Sequence, residues 1–229
     1  MATLQRKARM TGLSYLGLAI AGGAGFLAVR PMLFVAGDPQ ATLANVAGHE
    51  TLARAGVALE LLVVLTQALA AAGFYRLFRA QAPVAAAGIA AFGLVNSTVV
   101  LGSAALLATA ADTGDAATVQ LLYLVSGHLW TAGGIFFGLW LIPMGQAVLS
   151  TGWMPRPLGW LLIAGGAGYV LSAFLPEAGF LVVPASIGEF WMVGYLLVRG
   201  VRPQKLTPSA SSAALAGPSG SSSSVAHQM

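Results

Sequence analysis

Charged residues are scarce in this sequence. Its 229 residues include 11 Lys and Arg and 7 Asp and Glu, together 8% of the chain, whereas an average soluble domain carries about 25%. Eighteen charges cannot cover the surface of a soluble protein of this size, which argues strongly against a soluble globular enzyme.

Cysteine is absent altogether. Its absence excludes a disulfide scaffold, a zinc–thiolate site, an iron–sulfur cluster and thiol catalysis. The few basic residues also form no stripe with interleaved aromatic side chains, so we expect no nucleic-acid partner.

Apolar residues are abundant instead, at 57% of the chain, and the mean hydropathy is +0.81. A bilayer core of about 30 Å needs about 20 mostly apolar residues per helix. Continuous runs of this length predict helices rather than β-barrel strands, and therefore an all-α, polytopic membrane helix bundle. The six predicted transmembrane helices are Thr11–Val29, Ala53–Phe74, Val84–Ala108, Val119–Val148, Leu158–Leu175 and Leu181–Val198.

The basic residues predict the orientation of these spans through the positive-inside rule. With the N-terminus inside, nine basic residues fall on the inner side, and only Arg30 and Arg54 fall on the outer side. Both termini are therefore predicted to face the cytoplasm. The nine inner residues are Arg6, Lys7, Arg9, Arg76, Arg79, Arg156, Arg199, Arg202 and Lys205.

The composition divides the chain into two parts. Residues 1–202 form the predicted six-helix transmembrane domain, and residues 203–229 are rich in Ser, Ala and Pro. Such a segment buries too little apolar surface to fold, so we expect a disordered cytoplasmic tail. The predicted location is the bacterial inner membrane, with the lipid bilayer as the first partner. A homo-oligomer and a larger membrane complex both remain open.

Ionisable residues at membrane depth cost about 2.5–3.5 kcal/mol each on insertion scales, and they mark functional positions. Three lie clearly inside the predicted spans, namely Glu60, His128 and Glu189. All three are on helices that run from outside to inside, about 10–15 Å below the outer ends at 1.5 Å per residue. The sequence therefore predicts one polar pocket that opens outward. Further candidates for this pocket are Gln67, Asn96 and Tyr169.

Several interpretations of these residues stay open. In the first, Glu60 and Glu189 are protonated structural groups that hydrogen-bond across helices; in the second, they form a transport or proton-relay site with His128. In the third, two carboxylates and an imidazole bind a divalent metal, although no paired-histidine spacing supports it and we expect no metal or cofactor.

Catalysis on a lipid substrate is the fourth interpretation. No nucleophile elbow and no phosphate-binding loop occur in the sequence, so it indicates no recognisable catalytic site. A non-catalytic subunit of a larger membrane complex is the principal alternative to a small transporter.

Four stretches resemble a known family. They are Arg6–Leu16, Gly133–Leu141, Ser150–Tyr169, and the ending that runs from Pro184 through Glu189 to Val201. In this order they are similar to a family of uncharacterised bacterial membrane proteins catalogued as domain of unknown function 4386. The resemblance covers about Arg6 to Val201 and implies a six- or seven-helix integral membrane domain, with no activity to carry over.

Overall fold

Helices make up nearly all of the chain that the computed structural model describes, which is residues 2–175 and 179–201. No strand occurs among these residues, and the predicted tail, residues 203–229, lies outside them. The helices are α1 (Ala2–Gly22), which continues through a π-helical segment (Gly23–Val29) into α2 (Arg30–Leu33), then α3 (Pro39–Gly48), α4 (Glu50–Phe78), α5 (Pro83–Asp112), α6 (Ala116–Thr151), α7 (Arg156–Ser172), a 3-10 turn (Gly179–Val182) and α8 (Val183–Val198).

In the described part of the chain, five helices are long and apolar enough to cross a membrane. They confirm the all-helical prediction and indicate a multi-pass membrane protein. The predicted span Leu158–Leu175 corresponds to α7, which has 17 residues and is shorter than the roughly 20 needed for a perpendicular crossing. The five helical stretches are Thr3–Leu33, Glu50–Phe78, Pro83–Asp112, Ala116–Thr151 and Gly179–Val198.

Short polar segments fix where the helices begin and end. The Asp38 side chain accepts a hydrogen bond from the backbone N–H of Ala41 and starts α3, a helix that the hydropathy pattern did not predict. Asp115 caps α6 in the same way. At the other end of α6, Gly152 adopts a φ of 63°, a left-handed conformation that glycine tolerates and that stops the helix. Pro143 lies within α6.

Six helices form a ring in chain order. α1 packs on α4, α4 on α5, α5 on α6, α6 on α7, α7 on α8, and α8 returns to α1. Neighbouring helices are antiparallel, so the basic residues at their ends gather at one end of the bundle, here called the basic end. Those at the basic end in the described residues are Arg6, Lys7, Arg9, Arg76, Arg79, Arg156 and Arg199.

Aromatic side chains fill the ring toward the basic end. The ring of Tyr15 packs edge-on against Phe74 and Trp140, with centroids 5.7 and 5.1 Å apart. Phe78 stacks between Phe74 and Trp153. These five residues are called the aromatic plug below. Trp140, Phe74 and Phe78 are fully buried, so the plug closes the interior of the ring on this side.

Candidate functional site

A cavity of about 320 Å³ lies inside the ring, next to the aromatic plug. Each of the six ring helices contributes a polar or aromatic side chain to its wall, and small or aliphatic residues such as Gly22, Gly23 and Val63 complete it. A mostly apolar pocket with a few converging polar groups is the usual form of a small-molecule site. The six side chains, in chain order, are Tyr15, Gln67, Asn96, Trp130, Tyr169 and Glu189.

Glu189 joins α8 to α1 across this cavity. The Tyr15 hydroxyl donates a 2.7 Å hydrogen bond to Oε1 of Glu189. Tyr15 is 1% exposed and is fixed by the plug, whereas Glu189 is only partly buried and lines the cavity. The carboxyl group is therefore held in place from one side and is available to a ligand from the other.

Gln67 and Asn96 form a buried amide pair between α4 and α5. The Asn96 side-chain amide donates a 2.8 Å hydrogen bond to Oε1 of Gln67, and the two residues are 0% and 6% exposed. Within the described part of the chain, Nε2 of Gln67 has no hydrogen-bond partner. An unpaired buried donor costs about 1–3 kcal/mol, and Gln67 has no exposed surface, so this amide pair forms a rigid part of the cavity wall.

Glu60 lies next to the cavity but does not line it. Trp130 lines the cavity, and its indole N–H donates a 2.9 Å hydrogen bond to Oε1 of Glu60. Glu60 is 5% exposed, and its second oxygen has no partner among the described residues. Phe26 packs against the Trp130 ring at 5.1 Å. Glu60 therefore orients the wall of the cavity through Trp130.

Arg30 supports this wall from the end of the π-helical segment. Its guanidinium donates to Oγ of Ser126 at 2.9 Å and to the carbonyl oxygen of Tyr123. It also lies 5.6–5.8 Å from the ring centroids of Phe26, Phe34 and Tyr123. The charge pattern placed Arg30 on the outer side and did not predict these inward contacts.

Glu60 and Arg30 line one small crevice beside the cavity, where each helps to compensate the charge of the other. The only sequence signal for this role of Arg30 was its position immediately after an apolar run.

His128 is not part of the cavity. Its side chain is exposed on α6 and is not among the residues of the wall. The structure thus brings Glu189, Gln67, Asn96 and Tyr169 together, links Glu60 to them through Trp130, and leaves His128 out.

The metal interpretation was based on two acids, Glu60 and Glu189, and on His128. In residues 2–175 and 179–201, no three His, Asp or Glu side chains are grouped as metal ligands would be. The metal interpretation therefore finds no support in the described geometry.

The cavity reaches the surface of the bundle on one side. Leu27 and Phe190 belong to its wall and are 75% and 67% exposed. Leu27 lies in the π-helical segment that follows α1, and Phe190 lies on α8. The cavity therefore opens between the π-helical segment and α8, next to Glu189. Single π-helical turns inside α-helices are frequent at functional sites.

Comparisons with known proteins add a family and one relative. Residues 10–200 match the family described as "Domain of unknown function (DUF4386)". An uncharacterized protein of Archaeoglobus fulgidus is 32% identical over 71 residues, which are 30% of this chain and 44% of that protein. The matched segment thus spans less than half the length of that relative. No solved structure matches the chain. Since the family match extends over most of the sequence, the chain belongs to the DUF4386 family of proteins of unknown function.

Proposed function

We propose that the protein is a small transporter of the plasma membrane, the inner membrane of a bacterium, and that its central cavity binds the transported molecule. The observation that carries the proposal is the convergence of one polar or aromatic side chain from each ring helix on a single cavity. A purely structural bundle has no need of a carboxyl group that borders a cavity inside its ring, as Glu189 does.

The proposed topology has six crossings, with α7 as the short one, and both termini in the cytoplasm. The clustering of seven described basic residues at one end supports it. In this orientation Leu27 and Phe190 lie at the depth of the acyl chains, so a ligand enters the cavity sideways from the bilayer. Glu189, at the mouth of this entry, is the group through which transport would be linked to protons.

The topology can be tested by labelling, because the chain has no cysteine and each introduced one is unique. Gly48 and Gln81 are exposed at opposite ends of α4. In intact cells a membrane-impermeant maleimide should label Gly48→Cys but label Gln81→Cys only after permeabilisation. The reverse pattern would contradict the orientation.

The cavity can be tested by filling it. Gly23 lines the cavity, and a Cβ built at Gly23 meets no atom within 4 Å, so Gly23→Leu places a side chain in open space. Gly194 is exposed on α8, and a Cβ there is equally free, which makes Gly194→Leu a matched control.

The experiment is a small-molecule screen by thermal unfolding in lipid nanodiscs. A ligand at 100 times its Kd stabilises by about 2.7 kcal/mol, or about 5–10 °C in Tm for a chain of this size. We expect hits to stabilise the wild type and Gly194→Leu but not Gly23→Leu, and to be transported by the wild type in proteoliposomes. Hits that stabilise Gly23→Leu equally, or a library without hits, would contradict the proposal.

A further inference from the structure

The charge of the cavity wall indicates what it binds. Glu189 is the acidic residue of the wall, and no Lys, Arg or His is found among the described residues that line it. A bare carboxylate at membrane depth is costly. Either a proton or a positively charged ligand must therefore compensate Glu189, and nothing in the wall repels a cation.

Aromatic side chains line the same cavity as the Glu189 carboxyl group. Tyr15, Phe137, Tyr169 and Phe190 line the cavity together with Trp130, and the rings of Phe137 and Tyr169 meet edge-to-face at 5.1 Å. Aromatic faces attract cations, by about 0.5–1 kcal/mol when exposed and about 2 or more when desolvated. These five rings are called the aromatic cage below, and such rings beside a carboxylate suit an organic ammonium group.

We propose that the ligand is an organic cation, with an ammonium group beside Glu189 and an apolar body in the aromatic cage. This assignment rests on the proposed function and names its substrate class. The exposed apolar side chains at the opening suit such a molecule, because an amphipathic cation partitions into the bilayer before it enters.

Proton exchange follows from the same geometry. Among the described residues, the titratable groups that face Glu189 are Tyr15 from α1 and Tyr169 from α7. The helices α4, α5 and α6 present Gln67, Asn96 and non-titrating aromatic rings. Glu189 is thus the group that a proton and the ligand share. When one monovalent cation binds to the carboxylate, one proton leaves it, so charge balances.

The test uses two probes of the same shape. Benzoylcholine has a quaternary ammonium group and an ester carbonyl, and 3,3-dimethylbutyl benzoate replaces the charged nitrogen with carbon. Binding is titrated by tryptophan fluorescence in nanodiscs for the wild type and Glu189→Gln. Glu50→Gln is the matched control, because Glu50 is an exposed acid on α4 that pairs with Arg54 away from the cavity. A glutamine at 189 still accepts the Tyr15 bond, so the fold is retained.

We expect Glu189→Gln to weaken benzoylcholine binding at least about tenfold, a loss of about 1.4 kcal/mol, and to change the Kd of the neutral ester less than about twofold. Glu50→Gln should bind both like the wild type. Raising the pH from about 5 to about 8 should tighten the binding of benzoylcholine to the wild type. The affinity of Glu189→Gln should not change with pH in this way. Comparing each probe with itself across variants cancels its partitioning into lipid.

Two outcomes would overturn the cation assignment. One is equal weakening of both probes by Glu189→Gln, and the other is no benzoylcholine binding to the wild type. The proposed function is tested separately, by whether Gly23→Leu abolishes the binding of any ligand that the wild type binds. If the neutral ester binds and Gly23→Leu abolishes this binding, the cavity is a ligand site for neutral molecules.

Discussion

Glycines at the contact between α6 and α7 give the sharpest stability prediction. Gly138 faces Gly166 and Gly145 faces Gly159, one antiparallel pair every seven residues along the contact. A Cβ built on Gly166 would lie 2.6 Å from the carbonyl oxygen of Gly138 and 2.8 Å from Cγ1 of Ile142. The carbonyl is backbone and cannot rotate away, so Gly166→Ala forces the two helices apart.

Two opposing terms set the size of this effect. Alanine is favoured over glycine inside a helix by about 1 kcal/mol, which stabilises the variant. Overpacking a tight contact costs about 1–3 kcal/mol, and the upper part of this range applies because the clash is with backbone. We expect Gly166→Ala to lower the free energy of unfolding by about 1–2 kcal/mol.

The assay is reversible unfolding in mixed micelles by titration with sodium dodecyl sulfate, followed by tryptophan fluorescence. Gly194→Ala is the control, since this exposed glycine on α8 has no atom within 4 Å of a built Cβ. It should be neutral or more stable by up to about 1 kcal/mol. The same substitution thus has opposite signs at the two sites. If Gly166→Ala is as stable as Gly194→Ala, the close backbone contact between α6 and α7 is refuted.

Three further predictions concern the supporting contacts. Glu60→Ala should destabilise the protein by about 1–3 kcal/mol and change Trp130 fluorescence, because the buried indole N–H loses its acceptor, whereas Glu60→Gln should remain close to the wild type in thermal unfolding. Arg30→Lys keeps the charge but loses the forked contacts with α6, so its unfolding free energy should fall by at least about 1.5 kcal/mol. Hydrogen bonds from the hydroxyl and the backbone N–H of Thr118 lower the pKa of Asp115 below its usual value of about 3.9. Its capping contribution is therefore complete above about pH 4 and is lost as the pH falls further, so Tm should drop more steeply below pH 4 in the wild type than in Asp115→Asn.

Hydropathy predicted the helical membrane fold well because every span must satisfy its own backbone hydrogen bonds in lipid. It was less accurate at the helix ends. The first span was predicted to end at Val29, but the helix continues through Pro31 as far as Leu33. The short helix α3 was missed because its signal is the cap at Asp38 and not an apolar run.

The site was partly predictable, and His128 shows where sequence reasoning failed. Depth along a helix gives the height of a residue in the membrane but not the face on which it lies. Successive residues turn by about 100°, so His128 and Trp130 are separated by about 200°. Because Trp130 faces the ring interior and bonds Glu60, His128 faces outward. Only the contacts between helices reveal which of the two is inside.

The same contacts separate the two intramembrane acids, which the sequence presented as equivalent. Glu60 is bonded by an indole, lies in one crevice with Arg30 and has no surface in the cavity, so it has no contact with a ligand. Glu189 has one neutral hydroxyl partner and an open side, so its compensation must come from a proton or a ligand. An acid that borders the cavity can exchange a proton for a ligand, whereas an acid behind the wall acts only through the residue that it orients; the proposed function therefore rests on Glu189, with Glu60 as a positioning residue.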